Sequence, residues 1–216
     1  MNDKFFDLSR EKQDRMINGA LEVFAKNGFK HASTDDMVRA VDVSKGLWFH
    51  YFGSKLGLYT FVYGYSVKYT ILELSSMVDE DEKNYFEIIR QIEAAKMRIS
   101  RSYPYMMIFL EQAKKETDTD VLEQTAEDRK IFQEKMTGLT KNAEIPGIED
   151  KARREKLKKI TQYTIDGIVR EKASLSEPEA VYREIKNYLE LLREIVVTKS
   201  EKQSKEVEGI METVES

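Results

Sequence analysis

The segment from Val43 to Lys55 constrains the fold more than any other part of the chain. It holds four aromatic rings, a histidine and two lysines. A short amphipathic stretch from Ser33 to Val41 precedes it, and Asp42 ends that stretch. Two short helices joined by a tight turn, the second with aromatic and cationic side chains outside, form a helix-turn-helix. Because the second helix of such a unit enters the major groove, the segment predicts DNA binding.

Polar capping residues predict where the N-terminal helices begin and end. A first helix begins after Ser9 and ends at Asn27-Gly28, where glycine permits a left-handed residue. Serine caps predict the starts of the next three helices, and the last of these runs from Lys55 to Met77. The three caps are Ser33, Ser44 and Ser54.

Side-chain spacing divides the third helix into an inner and an outer face. Trp48 and Phe52 are four residues apart and share a face, so we expect both in the core. Their neighbours cannot all lie on that face, so some of them must face solvent. Exposed apolar groups near a helix N-terminus are unusual, and DNA binding would explain them. These neighbours are Leu47, Phe49, His50 and Tyr51.

The rest of the chain predicts helices throughout, because its 216 residues contain only 10 Gly and 3 Pro. We expect Pro104 and Pro178 in first helical turns, where a backbone N–H has no intrahelical partner and its absence in proline costs nothing. The predicted class is all-α, with a three-helix helix-turn-helix domain at 1–54, a helical domain at 55–201 and a polar tail at 202–216. Further helices are expected near 83–102, 104–117, 119–141, 150–174 and 177–201.

Composition excludes several classes of protein. The chain has no Cys, which rules out disulfides, thiol nucleophiles and thiolate metal sites. Met1 to Asp7 lacks an apolar run beside positive charge, and the densest apolar run, Tyr103 to Leu110, is about half of a bilayer span. We therefore expect a soluble cytoplasmic protein without a signal peptide.

Net charge gives DNA binding little support by itself. The whole chain carries −4, while residues 1–55 carry +1 and the remainder −5. Affinity for DNA would have to come from locally placed cations and from helix termini rather than from a basic domain.

A set of short motifs extends over about the first 60 residues of the chain. The motifs are Ala20-Leu21, Phe24, Asn27-Gly28-Phe29, Ala32-Ser33-Thr34, Val43-Ser44-Lys45-Gly46, Phe49-His50-Tyr51-Phe52 and Ser54-Lys55. Together they resemble the TetR family of bacterial transcriptional regulators. Leu47 stands where threonine is frequent in that family, so an apolar side chain would meet a thymine methyl rather than a hydrogen-bonding edge.

The resemblance implies DNA contacts of three kinds. Lys45, His50 and Lys55 would reach phosphates, as would the helix N-terminus at Ser33 and Thr34, although Asp35 and Asp36 beside it count against a strong contact. Gly46 would let the backbone approach DNA. The full set of expected DNA-binding residues is Ser33, Thr34, Ser44, Lys45, Gly46, Leu47, Phe49, His50, Tyr51 and Lys55.

The resemblance also implies that the domain at 55–201 binds an effector and dimerises. Aromatic and methionine side chains suit an apolar or aromatic effector, and a cationic effector facing Glu73 or Glu111 stays open. The candidate effector-binding residues are Tyr63, Tyr69, Phe86, Met97, Tyr105, Met106, Phe109, Phe132 and Tyr163.

Apolar stripes on the last two long helices predict a homodimer built as a four-helix bundle. Dimerisation would let two recognition helices meet the two halves of a palindromic operator. An effector that shifts the helix beginning after Ser54 would change their spacing and release a repressor from DNA. The candidate interface residues are Tyr163, Gly167, Ile185, Tyr188, Leu189, Leu192 and Ile195.

Two other classes of function stay open. An enzyme is disfavoured because no phosphate-binding loop, zinc motif or acid–base cluster is evident, and we expect no cofactor and no metal. Acidic residues at Asp118, Asp120 and 79–82 are more typical of helix starts than of cation sites. The second alternative is a helical small-molecule-binding or partner-binding protein with a degenerate DNA-reading head. The sequence leaves the effector, the operator, the regulated genes and the sign of regulation undetermined.

Overall fold

The computed structural model describes residues 3–41, 44–172 and 177–214, with side chains at 4–39, 44–172 and 177–196. Ten α-helices lie within these ranges, after a 3-10 turn at Asp3–Phe5. Over the same residues, none of the helices combines the length and the apolar character that a membrane span requires. The helices are α1 (Arg10–His31), α2 (Thr34–Val41), α3 (Lys45–Phe52), α4 (Lys55–Met77), α5 (Tyr85–Ser102), α6 (Met106–Ala113), α7 (Thr119–Gln124), α8 (Ala126–Leu139), α9 (Lys151–Lys172) and α10 (Pro178–Val214).

Serine caps set the starts of α3 and α4, as predicted. The Ser44 Oγ accepts a hydrogen bond from the Leu47 N–H at 3.3 Å, and the Ser54 Oγ accepts one from the Gly57 N–H at 3.0 Å. Each bond satisfies a backbone donor that the first turn of a helix cannot pair internally. Ser9 precedes α1 but makes no side-chain cap. The predicted turn at Asp42 lies outside the described residues.

The regular part of the first helix ends at Gly28, as predicted. Gly28 has φ 66° and ψ 179°, a combination open essentially to glycine alone. One further turn continues to His31, and the Ala32 N–H closes it on the Gly28 carbonyl at 3.2 Å. The predicted left-handed stop at Asn27-Gly28 is therefore confirmed, and a separate short turn extends the element to His31.

The C-terminal helices differ from prediction in three places. Thr125 (φ −106°) interrupts the single helix expected at 119–141, and its Oγ1 donates to the Val121 carbonyl at 2.7 Å. Pro104 lies in the turn before α6, whereas Pro178 occupies the first turn of α10 as expected. The backbone of α10 continues to Val214, so most of the segment predicted as a polar tail is helical.

The chain divides into two compact units, and the first comprises Met1–Ser76 with Arg98–Thr137. One continuous core runs through this unit from the 3-10 turn to α7, with Phe24, Tyr59 and Phe109 each no more than 2% exposed. The predicted domain boundary at residue 54 falls inside this unit, because α4 and α6 contribute side chains to the same core as α1 and α3.

Hydroxyl groups link α1 to α4 and to the turn before α6 in the first unit. The Tyr103 hydroxyl donates to the Asp14 carboxylate at 2.5 Å and lies 2.6 Å from the Tyr65 hydroxyl. Burial, and then the bond to Asp14, raise the pKa of Tyr103. This part-buried network helps to fix α1 relative to the rest of the unit, since an unpaired member would carry a desolvation cost.

The second unit comprises Met77–Met97 and Gly138–Ser216. Its α9 and α10 pack together, and Ile165, Ile168, Ile185 and Leu189 are buried. The chain before α5 runs beside the 143–145 loop, where the Tyr85 N–H donates to the Glu144 carbonyl at 2.8 Å.

Candidate nucleic-acid interface

The inner face of α3 fixes this helix in the core of the first unit. Trp48 is 3% exposed and Phe52 is 5% exposed, which confirms their predicted place in the core. The Phe5 ring, fully buried, packs against Phe52 with a centroid separation of 5.2 Å. The 3-10 turn at the N-terminus therefore closes over the base of α3, and the opposite side of the helix is left to solvent.

The outer face of α3 combines a cation, a glycine and aromatic groups. Lys45, Gly46 and His50 are exposed, and Phe49 is 43% exposed. A Cβ added at Gly46 would meet no atom within 4 Å, so packing inside the protein does not require glycine there. Ser44 is exposed beside this face, and Leu47 is half-buried at its edge. We name Lys45, Gly46, Phe49 and His50 the outer face.

Tyr51 does not lie on the outer face, contrary to the sequence-based expectation of a base or sugar contact. It is 7% exposed, and its ring packs edge-on against Phe5 with centroids 5.8 Å apart. The physical reason is helical geometry, since Tyr51 follows Trp48 by three residues and so shares its inward face. The ring belongs to the core.

Lys45 forms an ion pair with α2. Its Nζ lies 2.8 Å from the Asp35 Oδ1, and both side chains are more than half exposed. The hydrogen bond from Lys45, with its charge, lowers the pKa of Asp35. On the same helix Asp36 pairs with Arg39. The cation expected to meet a phosphate therefore already has a carboxylate partner within the protein.

The N-terminus of α2 is capped by its own serine. The Ser33 Oγ accepts a hydrogen bond from the Asp35 N–H at 3.2 Å. Ser33 and Thr34 are half-buried, and Asp35 stands in the first turn. The carboxylate at this end offers an anion an unfavourable approach, as the sequence indicated.

Lys55 is engaged inside the first unit, at the end of α1. Its Nζ donates to the carbonyl oxygens of Phe29 at 2.9 Å, Lys30 at 3.4 Å and Ala32 at 3.3 Å. It also lies 4.6 Å from the centroid of the Phe29 ring. Carbonyls at a helix C-terminus lack internal partners and attract cations. The geometry thus gives Lys55 a structural role, and we leave it out of the contact surface.

Six of the candidate effector-binding residues lie in the first unit. Tyr63, Met106 and Phe109 are buried, and Tyr69, Tyr105 and Phe132 are half-buried. The Phe109 ring packs edge-on against Tyr63 with centroids 6.2 Å apart. These side chains supply aromatic and thioether surface between the helices of a bundle, a common place for small-molecule sites.

Arg129 is a polar group among these residues that sequence analysis did not single out. Its guanidinium lies 4.9 Å from the Tyr63 ring centroid and donates to the Thr125 Oγ1 at 2.7 Å and the Ala113 carbonyl at 3.0 Å. The remaining nitrogen, Nη2, is buried without a hydrogen-bond partner. The sequence around Arg129 does not distinguish it from other charged helical residues, because two of its partners, Tyr63 and Ala113, come from α4 and α6.

The other three candidates lie in the second unit. Phe86 is buried and Met97 is half-buried, whereas Tyr163 is 70% exposed on α9. Such exposure excludes Tyr163 from the lining of a closed cavity within this chain, since its ring projects outward from α9.

The two carboxylates considered for a cationic effector both have cationic partners in the first unit. The Glu73 Oε2 lies 3.2 Å from the Arg98 Nε, and the Glu111 Oε2 lies 2.5 Å from the Lys114 Nζ. These pairs neutralise the charge that a cationic ligand would need. The Asp118 carboxylate, considered as a cation ligand, instead caps α7 by accepting from the Val121 N–H at 3.1 Å.

The predicted interface residues of α9 and α10 divide into an outward and an inward set. Tyr188 is 44% and Ile195 48% exposed, in line with Leu191 at 50%, and Gly167 is exposed on α9. The inward set corrects the prediction: Ile185 and Leu189 are 3% and 4% exposed, because they follow the stripe of α10 that is buried within the chain. Leu192 is half-buried between the two stripes.

Comparison with known proteins is consistent with this geometry. Residues 16–60 match the model of bacterial regulatory proteins of the tetR family, and no curated protein is a significant match to the chain. The TetR family transcriptional regulator PfmR from Thermus thermophilus superposes with a TM-score of 0.54 at 18% identity, over 83% of this chain and 97% of that chain. A tetR-family regulator from Streptomyces coelicolor gives a TM-score of 0.47 at 13% identity, over 94% and 90%. The predicted all-α class with an N-terminal helix-turn-helix is confirmed.

Proposed function

We propose that this chain, whose residues 16–60 belong to the tetR family of bacterial regulatory proteins, binds a palindromic DNA operator as a homodimer and represses transcription. A small apolar or aromatic effector releases it from DNA. The observation that carries the proposal is the outer face of α3, which presents a cation, a glycine and exposed rings. The opposite face of the same helix is packed into the core through Trp48 and Phe52.

Within this proposal, the DNA-contacting residues are a reduced form of the set expected from sequence. Lys45 and His50 meet phosphates, and Phe49 with Leu47 meets the edges of bases or sugars. Ser44 stands at the N-terminus of α3, where backbone N–H groups suit phosphate oxygens. Ser33 and Thr34 stand at the N-terminus of α2, where the Asp35 carboxylate makes a phosphate contact weaker. Tyr51 and Lys55 support this surface through contacts within the first unit.

Gly46 supports a close approach of α3 to DNA. Gly46 is the second residue of α3, and glycine is a poorer helix former than alanine, by roughly 0.5–1 kcal/mol in a helix interior. Open space surrounds the position of its missing Cβ, so nothing in the fold compensates for that cost. A partner that approaches the backbone at this point would explain why the residue is glycine.

A dimer would form through the outward residues of α9 and α10. Tyr163, Tyr188 and Ile195 expose apolar surface in the second unit, and Gly167 allows close helix approach. Two helices from each subunit would bury this surface in a four-helix bundle. The symmetry of such a dimer matches a palindrome with half-sites about 34–36 Å apart.

Effector response is proposed for the aromatic region around Tyr63, Phe109 and Arg129. Apolar rings would hold the effector, and the unpaired Arg129 Nη2 would offer one hydrogen bond to it. Tyr63 and Lys55 lie on the same helix, α4. A displacement of α4 at Tyr63 would therefore move the end of α1, whose carbonyls accept hydrogen bonds from Lys55.

Selection of bound duplexes from a random DNA pool tests the proposed function. We expect the protein to enrich a palindrome, and Lys45→Ala and His50→Ala to fail to enrich it. Gly46→Ala should keep the wild-type unfolding midpoint and yet weaken binding, since a Cβ there clashes with nothing in the protein. A folded, dimeric protein that enriches no sequence after effector removal would refute operator binding and favour a small-molecule carrier.

A further inference from the structure

We infer that Asp35 is an internal competitor of DNA phosphate for Lys45, which lowers the affinity of the recognition helix for DNA of any sequence. The inference rests on the proposed DNA-binding function. It adds a residue of α2 that tunes affinity through Lys45 without itself being a favourable DNA contact.

The ion pair occupies the group that a phosphate would use. The Lys45 Nζ and the Asp35 Oδ1 are 2.8 Å apart, so the ammonium is already in hydrogen-bond contact with an anion. The Lys45 side chain is 51% and the Asp35 side chain 64% exposed. Exposed pairs of this kind are weak and exchange readily. A phosphate can therefore displace Asp35, but the free energy of the lost pair is subtracted from the binding free energy.

Displacement also leaves a carboxylate beside the DNA. Asp35 stands in the first turn of α2, at the end where the Ser33 hydroxyl caps the helix. A carboxylate that loses Lys45 and faces phosphates at this position is repelled by them. The two effects have the same sign, and both weaken binding without regard to base sequence.

The salt dependence of binding should carry the same signature. Each phosphate neutralised by a cation contributes about −0.9 to the slope of log K against log salt concentration. A cation that brings its own carboxylate to the DNA neutralises less than one phosphate. Removing the carboxylate should therefore steepen the slope, by up to about 0.9.

Asp35→Asn tests the inference, with Asp36→Asn as its matched control. Both variants remove one carboxylate from the same turn, but only Asp35 pairs with Lys45, whereas Asp36 pairs with Arg39. Binding of each to a duplex of random sequence is measured between about 50 and 200 mM salt. We expect Asp35→Asn to bind about three- to tenfold more tightly at the low end, with a steeper salt slope.

A double-mutant cycle separates competition for Lys45 from general charge repulsion. In the Lys45→Ala background, the gain from Asp35→Asn should fall to less than half of its value, while any gain from Asp36→Asn should persist. An unchanged gain in that background, or no gain in the wild type, overturns the inference. Lys45→Ala that leaves wild-type DNA binding unchanged refutes the phosphate contact itself, so the two failures are distinguishable.

Discussion

Lys55→Met should destabilise the helix-turn-helix region by about 2 kcal/mol, because the substitution removes an ammonium that three carbonyls share. The shortest bond, 2.9 Å to the Phe29 carbonyl, joins a charged donor to a part-buried acceptor and accounts for about 1.5 kcal/mol. Loss of the cation 4.6 Å from the Phe29 ring adds about 0.5 kcal/mol. Methionine retains the apolar stem. The two longer bonds, at 3.3 and 3.4 Å, contribute little.

Urea unfolding followed by Trp48 fluorescence measures this effect directly. Trp48 is the single tryptophan of the chain and is buried on α3, so its emission reports on the affected region. We expect the unfolding constant to rise about 30-fold. Lys68→Met is the matched control, since Lys68 is an exposed lysine on the same helix and should change stability little.

The outcome also distinguishes a structural Lys55 from one that contacts phosphate. If the role of Lys55 is structural, the folded fraction of Lys55→Met should bind DNA with the same salt dependence as the wild type. A phosphate contact would instead reduce that slope by about one. Equal stability of Lys55→Met and Lys68→Met, together with a reduced slope, would refute the role argued from the structure.

Two further predictions concern the first unit. Phe5→Ala should lower the free energy of unfolding by about 3–5 kcal/mol, because the Phe5 ring is fully buried. Phe6→Ala is the control and should lower it by less than about 1 kcal/mol, since the Phe6 side chain is 54% exposed. Urea unfolding followed by Trp48 emission measures both values, and equal losses would contradict the packing of Phe5. Tyr103→Phe should lower the free energy of unfolding by about 1–3 kcal/mol, because it removes the hydroxyl that donates to Asp14. Burial raises the pKa of Tyr103, so the unfolded chain releases this proton above about pH 10 while the folded chain retains it, and wild-type stability should fall above that pH. The urea midpoint of Tyr103→Phe should fall less over this pH range than that of the wild type. Equal decreases in the two proteins would show that Tyr103 does not contribute to the pH dependence of stability.

Sequence predicted the starts of α3 and α4 because the determinants of these starts are local. The hydroxyls of Ser44 and Ser54 bond to N–H groups three residues ahead, within the same turn. The assignment of Trp48 and Phe52 to one buried face needed only the helical period. Interactions that span one turn are present in the sequence itself, so these predictions were confirmed.

Predictions failed where the partner of a residue is distant in sequence. Lys55 is held by the carbonyls of residues 29, 30 and 32, which lie 23 to 26 residues before it in the chain. Arg129 finds its partners on α6 and beside Tyr63. No local pattern distinguishes such a lysine or arginine from one at the surface.

By itself, the sequence determined that this chain is helical, where its N-terminal helices are capped and which segment reads DNA in the proposed function. Capping, helical period and motif composition act over a few residues, and a sequence displays them directly. Only the tertiary structure decided that Lys45 pairs with Asp35, that Lys55 binds carbonyls at the end of α1, and which stripe of α10 is exposed. Those outcomes depend on which helices pack together, and long-range packing sets how each side chain is finally used.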